Sequence, residues 1–506
     1  MKRCLNTSQQ PKLADMAGSL SQVLTSLVST ITDPEVISSY TSDWTGRFTG
    51  HADAVVRPES TEQVVASIRA CALAGAKIQI QGGNTGLVGG SVPPAKSDHE
   101  VCLISTKSLT AILDLDEISG HITVGAGATL GQVQELVRAN GWDFAVDLAA
   151  RDSATIGGLV ATNAGGIRVC AFGMTRRSVV GIEMVLADGQ VLSNLSSPLK
   201  DNTGYAVVDI AIGAEGTLGI ITAVKLKLIR PVVETTLHLI PAQTMNEALK
   251  MLAEVQDSGH QLLAAEYVDA VTMQLILEHA NLRPLWKEIP KLTLLFEVAG
   301  KNVNLNFPHD ALGSSEIAEK RNYWQYREVA SDTWTALGKV HKLDVSVAVS
   351  DVAEFELSLQ NLLSTFKGVE TFGSFGHLAD GNLHIEVVGP AIDNFAVDYA
   401  VLKLVAEFNG SISAEHGIGR AKREYLSLTR PALDIEIGKQ IKSVFDPTKT
   451  TSRQGTDGEK GTGFGMPLVK EFVEKYGGSI EIDSWEKDTH PDSHGTEIKI
   501  SLKKAA

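Results

Sequence analysis

His377 and His384 bracket the segment His377-Leu378-Ala379-Asp380-Gly381-Asn382-Leu383-His384. Asp380-Gly381 signals a two-residue type I′ turn between antiparallel strands. Such a turn pairs Ala379 with Asn382, Leu378 with Leu383 and His377 with His384. The two imidazoles then stand opposite one another, with Cβ atoms about 5 Å apart on one face. That arrangement suits a shared metal ion, and Glu386, two residues on, takes the same face. The competing reading is a hairpin with two incidental histidines. Ser413-Ala414-Glu415-His416-Gly417-Ile418-Gly419 adds a carboxylate and an imidazole in a glycine-flanked turn. Two His and one Glu leave coordination positions open, as catalytic zinc sites do. Taken alone, Glu415-His416 reads equally as a solvated loop pair.

A second chemistry is written in glycine. Gln81-Gly82-Gly83-Asn84-Thr85-Gly86-Leu87-Val88-Gly89-Gly90 follows a predicted strand. Consecutive N–H groups in such a loop form an anion-binding nest. The G-x-G-x-x-G spacing is absent and no helical pattern follows at once, which disfavours a Rossmann site. A second stretch runs from Asp147 through Ser153, Ile156, Gly157 and Gly158 to Asn163-Ala164-Gly165-Gly166. A third is Gly213-Ala214-Glu215-Gly216-Thr217-Leu218-Gly219-Ile220-Ile221. Each alone reads as a plain turn; three in one domain are better explained by one large extended ligand.

The elements that position these residues follow from periodicity. Ala54–Val56, Thr61–Ala74 and Lys77–Ile80 read as strand, helix, strand. Short β patterns dominate from Val101 to Leu228. Beyond Arg230-Pro231, helices alternate with strands: Met245 to Gln256 as helix, Leu292 to Val298 as strand, Glu316 to Leu337 as one long helix. The layout is α+β in two parts after a helical lead-in over 1–50, with domains at 51–230 and 231–449 and a tail at 450–506.

Composition limits the rest. The chain has 506 residues, enough for about three domains. With 43% hydrophobic and 21% charged residues it builds globular cores. A net charge of −15 argues against nucleic-acid binding by broad phosphate neutralisation. Its 4 cysteines are scattered, without a C-x-x-C pair, which fits a reducing, cytoplasmic setting. No run of about 18 apolar residues marks a transmembrane segment.

On these glycine stretches, together with Lys200-Asp201-Asn202-Thr203-Gly204-Tyr205, Glu266-Tyr267-Val268-Asp269-Ala270-Val271, Gly376 to His384 and Ser413 to Gly419, the chain resembles a known family over about residues 40–448. It is similar to the FAD-linked D-2-hydroxyacid dehydrogenases, of the D-2-hydroxyglutarate and D-lactate dehydrogenase and glycolate oxidase kind. The resemblance implies a two-subdomain FAD-binding domain of the vanillyl-alcohol oxidase type, followed by an α+β substrate (cap) domain. It implies FAD contacts at Gly82, Gly83, Asn84, Thr85, Gly86 and Leu87, at Ser153, Ile156, Gly157, Gly158, Asn163, Ala164, Gly165 and Gly166, and at Glu215, Gly219 and Ile220. Asn84 stands where some relatives carry a flavin-linking histidine, so non-covalent FAD is expected. The resemblance further implies His377, His384 and Glu415 as ligands of a divalent metal, zinc being expected, and His416 as the base. Arg327-Glu328-Val329-Ala330-Ser331 and Lys342-Leu343-Asp344-Val345-Ser346-Val347 match substrate-binding stretches, with Arg327, Ser331 and Lys342 toward the substrate. Glu386 departs from the usual Asn there, and Ala348 from a usual proline; a carboxylate facing the metal adds a ligand or repels a substrate carboxylate. The departures point to a D-2-hydroxyacid more firmly than to 2-hydroxyglutarate itself. Reoxidation is expected from an electron-transfer flavoprotein or a quinone-linked carrier, and the oligomer is left open, a homodimer being one option.

The tail is foreign to that family. Gly458 to Lys470 resembles the lid and following helix of a histidine-kinase ATPase domain, and Gly477-Gly478-Ser479-Ile480 and Gly495-Thr496 its last strands. The Asn-bearing first helix and the Asp-x-Gly-x-Gly segment are missing, so the tail cannot complete a nucleotide pocket. A rearrangement fragment is the expected reading, against a sensor fusion with a signalling role or an inactive flavin-binding remnant.

Overall fold

The computed structural model describes residues 19–196, 198, 200–447, 450–451, 479–485 and 495–501. The chain forms two units, residues 1–453 and 454–506. Of the second unit, an antiparallel pair, Ser479–Trp485 with Gly495–Ser501, is described. The expected lid and helix over 458–476 lie outside the described residues.

The first half of the larger unit holds two sheets around one core. A four-stranded sheet runs in the order Thr30–Ile31, Ala54–Val56, Val101–Ser105, Lys77–Gln81. The pairings of Val101–Ser105 with its two neighbours are parallel, and its side chains are buried on both faces, as a continuous apolar run requires. The helix Thr61–Ala74 makes the crossover. The Ser60 hydroxyl accepts from Gln63 N at its start, and Gly75 ends it with a φ of 67°. The lead-in supplies the edge strand Thr30–Ile31. A five-stranded antiparallel sheet, with Ile220–Lys227 at its centre, packs on the same core.

The second half is one seven-stranded antiparallel sheet. Its order is Leu312–Ser314, Thr235–Ala242, Leu292–Ala299, Leu262–Asp269, Thr371–His377, Asn382–Val388, His341–Ser346. One face packs Leu343, Val345, Leu383 and Ile385 under the helices Met245–Asp257, Val352–Thr365 and Ala396–Glu407. The other packs Val268, Leu295 and Phe375 under Ala270–His279 and the Ile317–Glu328 and Ala330–Thr335 pair. That pair corrects the single helix expected from Glu316 to Leu337. The chain breaks at Val329, because the two pieces are anchored apart: Tyr326 donates to Arg283 O at 2.7 Å, whereas the buried Trp334 donates to Thr272 Oγ1 at 3.1 Å.

The helix Ala432–Phe445 returns to the first core, where Phe445 packs. Thr450 and Thr451, the first residues of the expected tail, are buried. Ile78 N donates to Thr450 O at 2.9 Å, and Thr451 bridges Ile78 in parallel. Asp446 enforces this: its fully buried carboxylate accepts Thr450 N at 2.8 Å, Thr451 N at 2.9 Å and the Lys442 ammonium. Burial pushes its acid constant up, but the bonds from Lys442 and Thr451 outweigh that and hold it below the usual carboxylate range. Asp446→Ala removes the carboxylate half of this buried ion pair and should cost about 3–5 kcal/mol in denaturant unfolding. Because the folded-state constant is lowered, the wild-type contribution is present above about pH 4 and is lost as pH falls below it. An unchanged midpoint, or an equal loss at pH 3 and pH 7, would count against this pairing.

Candidate active site

The His377–His384 hairpin forms, but in a different register. Leu378–Asp380 makes a tight 3-10 turn and Gly381 follows with a φ of 70°. His377 pairs with Asn382, and Phe375 pairs with His384. The expected two-residue turn fails because Gly381 is docked on the neighbouring strand. Val347 N donates to Gly381 O, and a side chain at Gly381 would come within 2.1 Å of Val347 O. The two histidines are therefore diagonal rather than opposite, yet they stay on one face and their Nε2 atoms are 3.4 Å apart.

Register across four strands fills that face. One row is Glu266–His377–Asn382, the next Val268–Phe375–His384–Asp344, the third Gly373–Glu386–Lys342. Glu266 is fully buried and accepts from His377 Nδ1 at 2.7 Å and from Arg327 Nε at 2.8 Å. Burial alone would raise it, but the charges of His377 and Arg327 bring it below the usual carboxylate range. Burial opposes a charge on His377, and Glu266 overcomes this, carrying it up to about 9. His384 goes the other way: burial holds it well below its ordinary value, leaving a neutral donor. Glu415 completes the cluster, with Oε1 3.9 Å from His377 Nε2. One donor atom from each of His377, His384 and Glu415 lies within 4.8 Å of the other two. A buried carboxylate on the far nitrogen of one histidine fixes its tautomer and aims Nε2 into the cluster, as metal-binding histidines need.

Asp344 organises the opposite side. Its Oδ2 accepts the backbone N–H groups of Glu415 at 2.9 Å and His416 at 3.1 Å, and lies 3.5 Å from His416 Nδ1. Asn382 Nδ2 donates to its Oδ1 at 2.8 Å. Burial would raise Asp344, but His416, Lys422 and His384 keep it far below the usual range, so it stays ionised. The Arg327 guanidinium stacks 4.8 Å from the Phe375 ring centre. Lys342 donates to Ser331 O, Ser331 Oγ and Thr335 Oγ1 at 2.9–3.0 Å. Glu386 shares the face but turns to Lys342, 3.7 Å away, and is outside the three-donor cluster; burial pushes it up to about 8.

Glu266, which accepts from His377, and Asp344, which accepts from the backbone of Glu415 and His416, were not singled out by spacing. Both belong to stretches already matched by resemblance, and the usable signal was a carboxylate inside an apolar strand, Leu262-Leu263-Ala264-Ala265-Glu266 and Leu343-Asp344-Val345. Such a charge must find partners.

The glycine loops meet this cluster. Residues 82–87 remain partly accessible, and among the described residues the backbone N–H groups of 83–87 have no protein acceptor. That is the donor set an extended pyrophosphate needs, so the residues fit FAD. Gly83 lies so close to the second loop that a Cβ would sit 2.1 Å from Ser153 O. Thr155 caps the short helix Ile156–Thr162 through Gly158 N. Gly166 N donates to Glu415 Oε1 at 2.8 Å, which ties the second loop to the histidine cluster. Ile156 and Gly157 are buried, and Ile220 is fully covered by protein within its central strand. The Asn84 amide is engaged by Ser42 O and Ser91 Oγ. With no imidazole at that position, acid precipitation should release the flavin into the supernatant; colour kept in the pellet would refute non-covalent attachment.

Two flavin-domain sheets joined to an antiparallel cap, with a histidine cluster at their junction, define an FAD-linked oxidoreductase. A family model for an FAD binding domain matches residues 52–194, and one for the C-terminal domain of FAD linked oxidases matches 233–453. The fold is shared with solved structures of alkyldihydroxyacetonephosphate synthase, one at TM-score 0.65 and 15% identity over 86% of this chain and 85% of that one. D-2-hydroxyglutarate dehydrogenase, mitochondrial, of Danio rerio is 33% identical, covering 83% of this chain and 81% of its own. The D-2-hydroxyglutarate dehydrogenase of Xanthomonas citri pv. viticola is also 33% identical, covering 82% and 91%. The chain belongs to the D-2-hydroxyglutarate dehydrogenase family of FAD-dependent oxidoreductases. A model for histidine kinase-, DNA gyrase B- and HSP90-like ATPases matches 417–506. Its first part, up to residue 453, lies in the larger unit. Among the described residues, no helix is long and apolar enough to cross a membrane.

Proposed function

We propose that the protein oxidises a D-2-hydroxyacid, of the 2-hydroxyglutarate or lactate kind, to the 2-oxoacid. The observation that carries this reading is Glu415: one oxygen reaches both a glycine-loop N–H and the two-histidine cluster. Residues 82–87, 153–166 and, in the third loop, Gly219 would hold FAD, which when bound supplies the acceptor for the hydride from C2. His377, His384 and Glu415 would hold a divalent ion, with zinc favoured by the nitrogen and oxygen donors, and such an ion supplies Lewis acidity to the substrate oxygen.

The chain's own residues do the rest. His416 takes the hydroxyl proton. Asp344, held ionised, orients that imidazole and stabilises the charge it acquires. Arg327, steadied by Glu266 through Nε, offers its remaining guanidinium donors to the substrate carboxylate. Lys342 and Glu386 lie in the next row of the face, and Ser331, on the helix Ala330–Thr335, accepts from Lys342; these three would meet the substrate's far end. Reoxidation by an electron-transfer flavoprotein or quinone-linked carrier, and a cytoplasmic location, belong to the same proposal; the described cysteines, Cys71, Cys102 and Cys170, are all free.

The test is a dye-coupled screen of D-2-hydroxyglutarate, D-lactate, D-malate and glycolate. Turnover with a D-2-hydroxyacid, and little with its L enantiomer, supports the reading. Turnover with none overturns it.

A further inference from the structure

The loop over 413–421 carries Glu415 and His416, and it is held from outside its own half of the unit. Glu215, in the third glycine loop, accepts Ile418 N at 2.8 Å with one carboxylate oxygen and Gly419 N at 2.9 Å with the other. The backbone of Glu215 is itself fixed, since its N–H donates to Ala161 O in the helix Ile156–Thr162. Glu215 sits at a φ of 52°, a left-handed conformation that is strained for a non-glycine residue. Here the bidentate grip offsets that strain. Gly417 accommodates the carboxyl: at its φ of 80°, a Cβ would lie 2.9 Å from Glu215 Cδ. Val88, in the first glycine loop, adds a second hold by accepting Arg420 N at 2.8 Å and Ala421 N at 3.1 Å.

We infer that Glu215 is a positioning residue, whose carboxylate sets the register of Glu415 and His416 against the glycine loops and does not bind the cofactor. The inference rests on the proposed reading of Glu415 and His416. The loop has two successive carboxylate clasps, Asp344 on the backbone of 415–416 and Glu215 on that of 418–419. Asp344 comes from the cap sheet and Glu215 from the flavin domain, so releasing Glu215 frees the loop from one half while the other still holds it. A displacement of about 1 Å at reacting groups is enough to cost about a hundredfold in rate.

The experiment compares Glu215→Ala, Glu215→Gln and Gly417→Ala in the full chain. Glu215→Ala is expected to lower kcat about a hundredfold, with KM within about threefold. FAD affinity, read by titrating apoprotein with FAD, should stay within about twofold of wild type. Zinc affinity of the FAD-loaded protein, read by calorimetry, should fall at least tenfold as Glu415 loses its place. Glu215→Gln keeps one of the two acceptors and turns an NH2 toward the other N–H, so it should recover at most part of both losses. Gly417→Ala disturbs the same contact from the other side, leaves the carboxylate intact, and should reproduce the zinc defect even if Glu215→Ala fails to fold. Loss of FAD affinity in step with kcat would make Glu215 a cofactor contact and overturn the inference. Wild-type zinc affinity in Gly417→Ala and Glu215→Gln would overturn it as well. If wild type shows no hydroxyacid turnover but the variants still lose zinc, the functional reading fails while the positioning role stands.

Discussion

Turnover by the His384→Ala variant should fall about a thousandfold, with bound flavin unchanged. His384 is the neutral donor of the cluster, and its Nε2 is 3.4 Å from that of His377. Removing it leaves one imidazole and Glu415, too few donors for a tight divalent site. The rate loss corresponds to several kcal/mol of lost Lewis-acid stabilisation. Flavin should persist because His384 lies on the cap sheet, while the free N–H groups of 83–87 lie in the other half. Elemental analysis, a visible spectrum and kcat on the same preparation check the three parts. A metal-free variant with wild-type kcat would remove the ion from the mechanism.

The second large effect is His416→Ala. A positioned base contributes about 10²–10⁴ in rate, and this substitution should lower kcat by that amount while metal and flavin both remain. The distinction from His384 is geometric. His416 stacks near the His384 ring, with centroids 6.2 Å apart, but its Nδ1 faces Asp344 Oδ2 at 3.5 Å. Loss of metal in His416→Ala would instead make His416 a ligand.

Much of the site was legible in the sequence, because its residue types are unusual and clustered along the chain. The His377 and His384 hairpin, the Glu415-His416 turn and the three glycine stretches each declare themselves locally. The register of the hairpin did not, because it is decided by Gly381 docking on Val347, more than thirty residues away in sequence. Glu266 and Asp344 were assigned no role for the same reason. A lone acid in an apolar strand gains meaning only when strand pairing sets it beside His377 or under His416. The break at Val329 and the burial of Thr450 and Thr451 likewise depend on distant anchors, Thr272 and Ile78. Glu386 was rightly placed on the face of His384, but its partner Lys342 comes from the neighbouring strand.

The most direct test of the central claim is anaerobic mixing of the purified, flavin-loaded protein with D-2-hydroxyacids, each protiated or deuterated at C2. The account predicts bleaching of the visible flavin absorbance by at least one D-2-hydroxyacid, slower with the deuterated form, and formation of one 2-oxoacid per flavin. Flavin that stays oxidised with every acid, or bleaching without any 2-oxoacid, would contradict it.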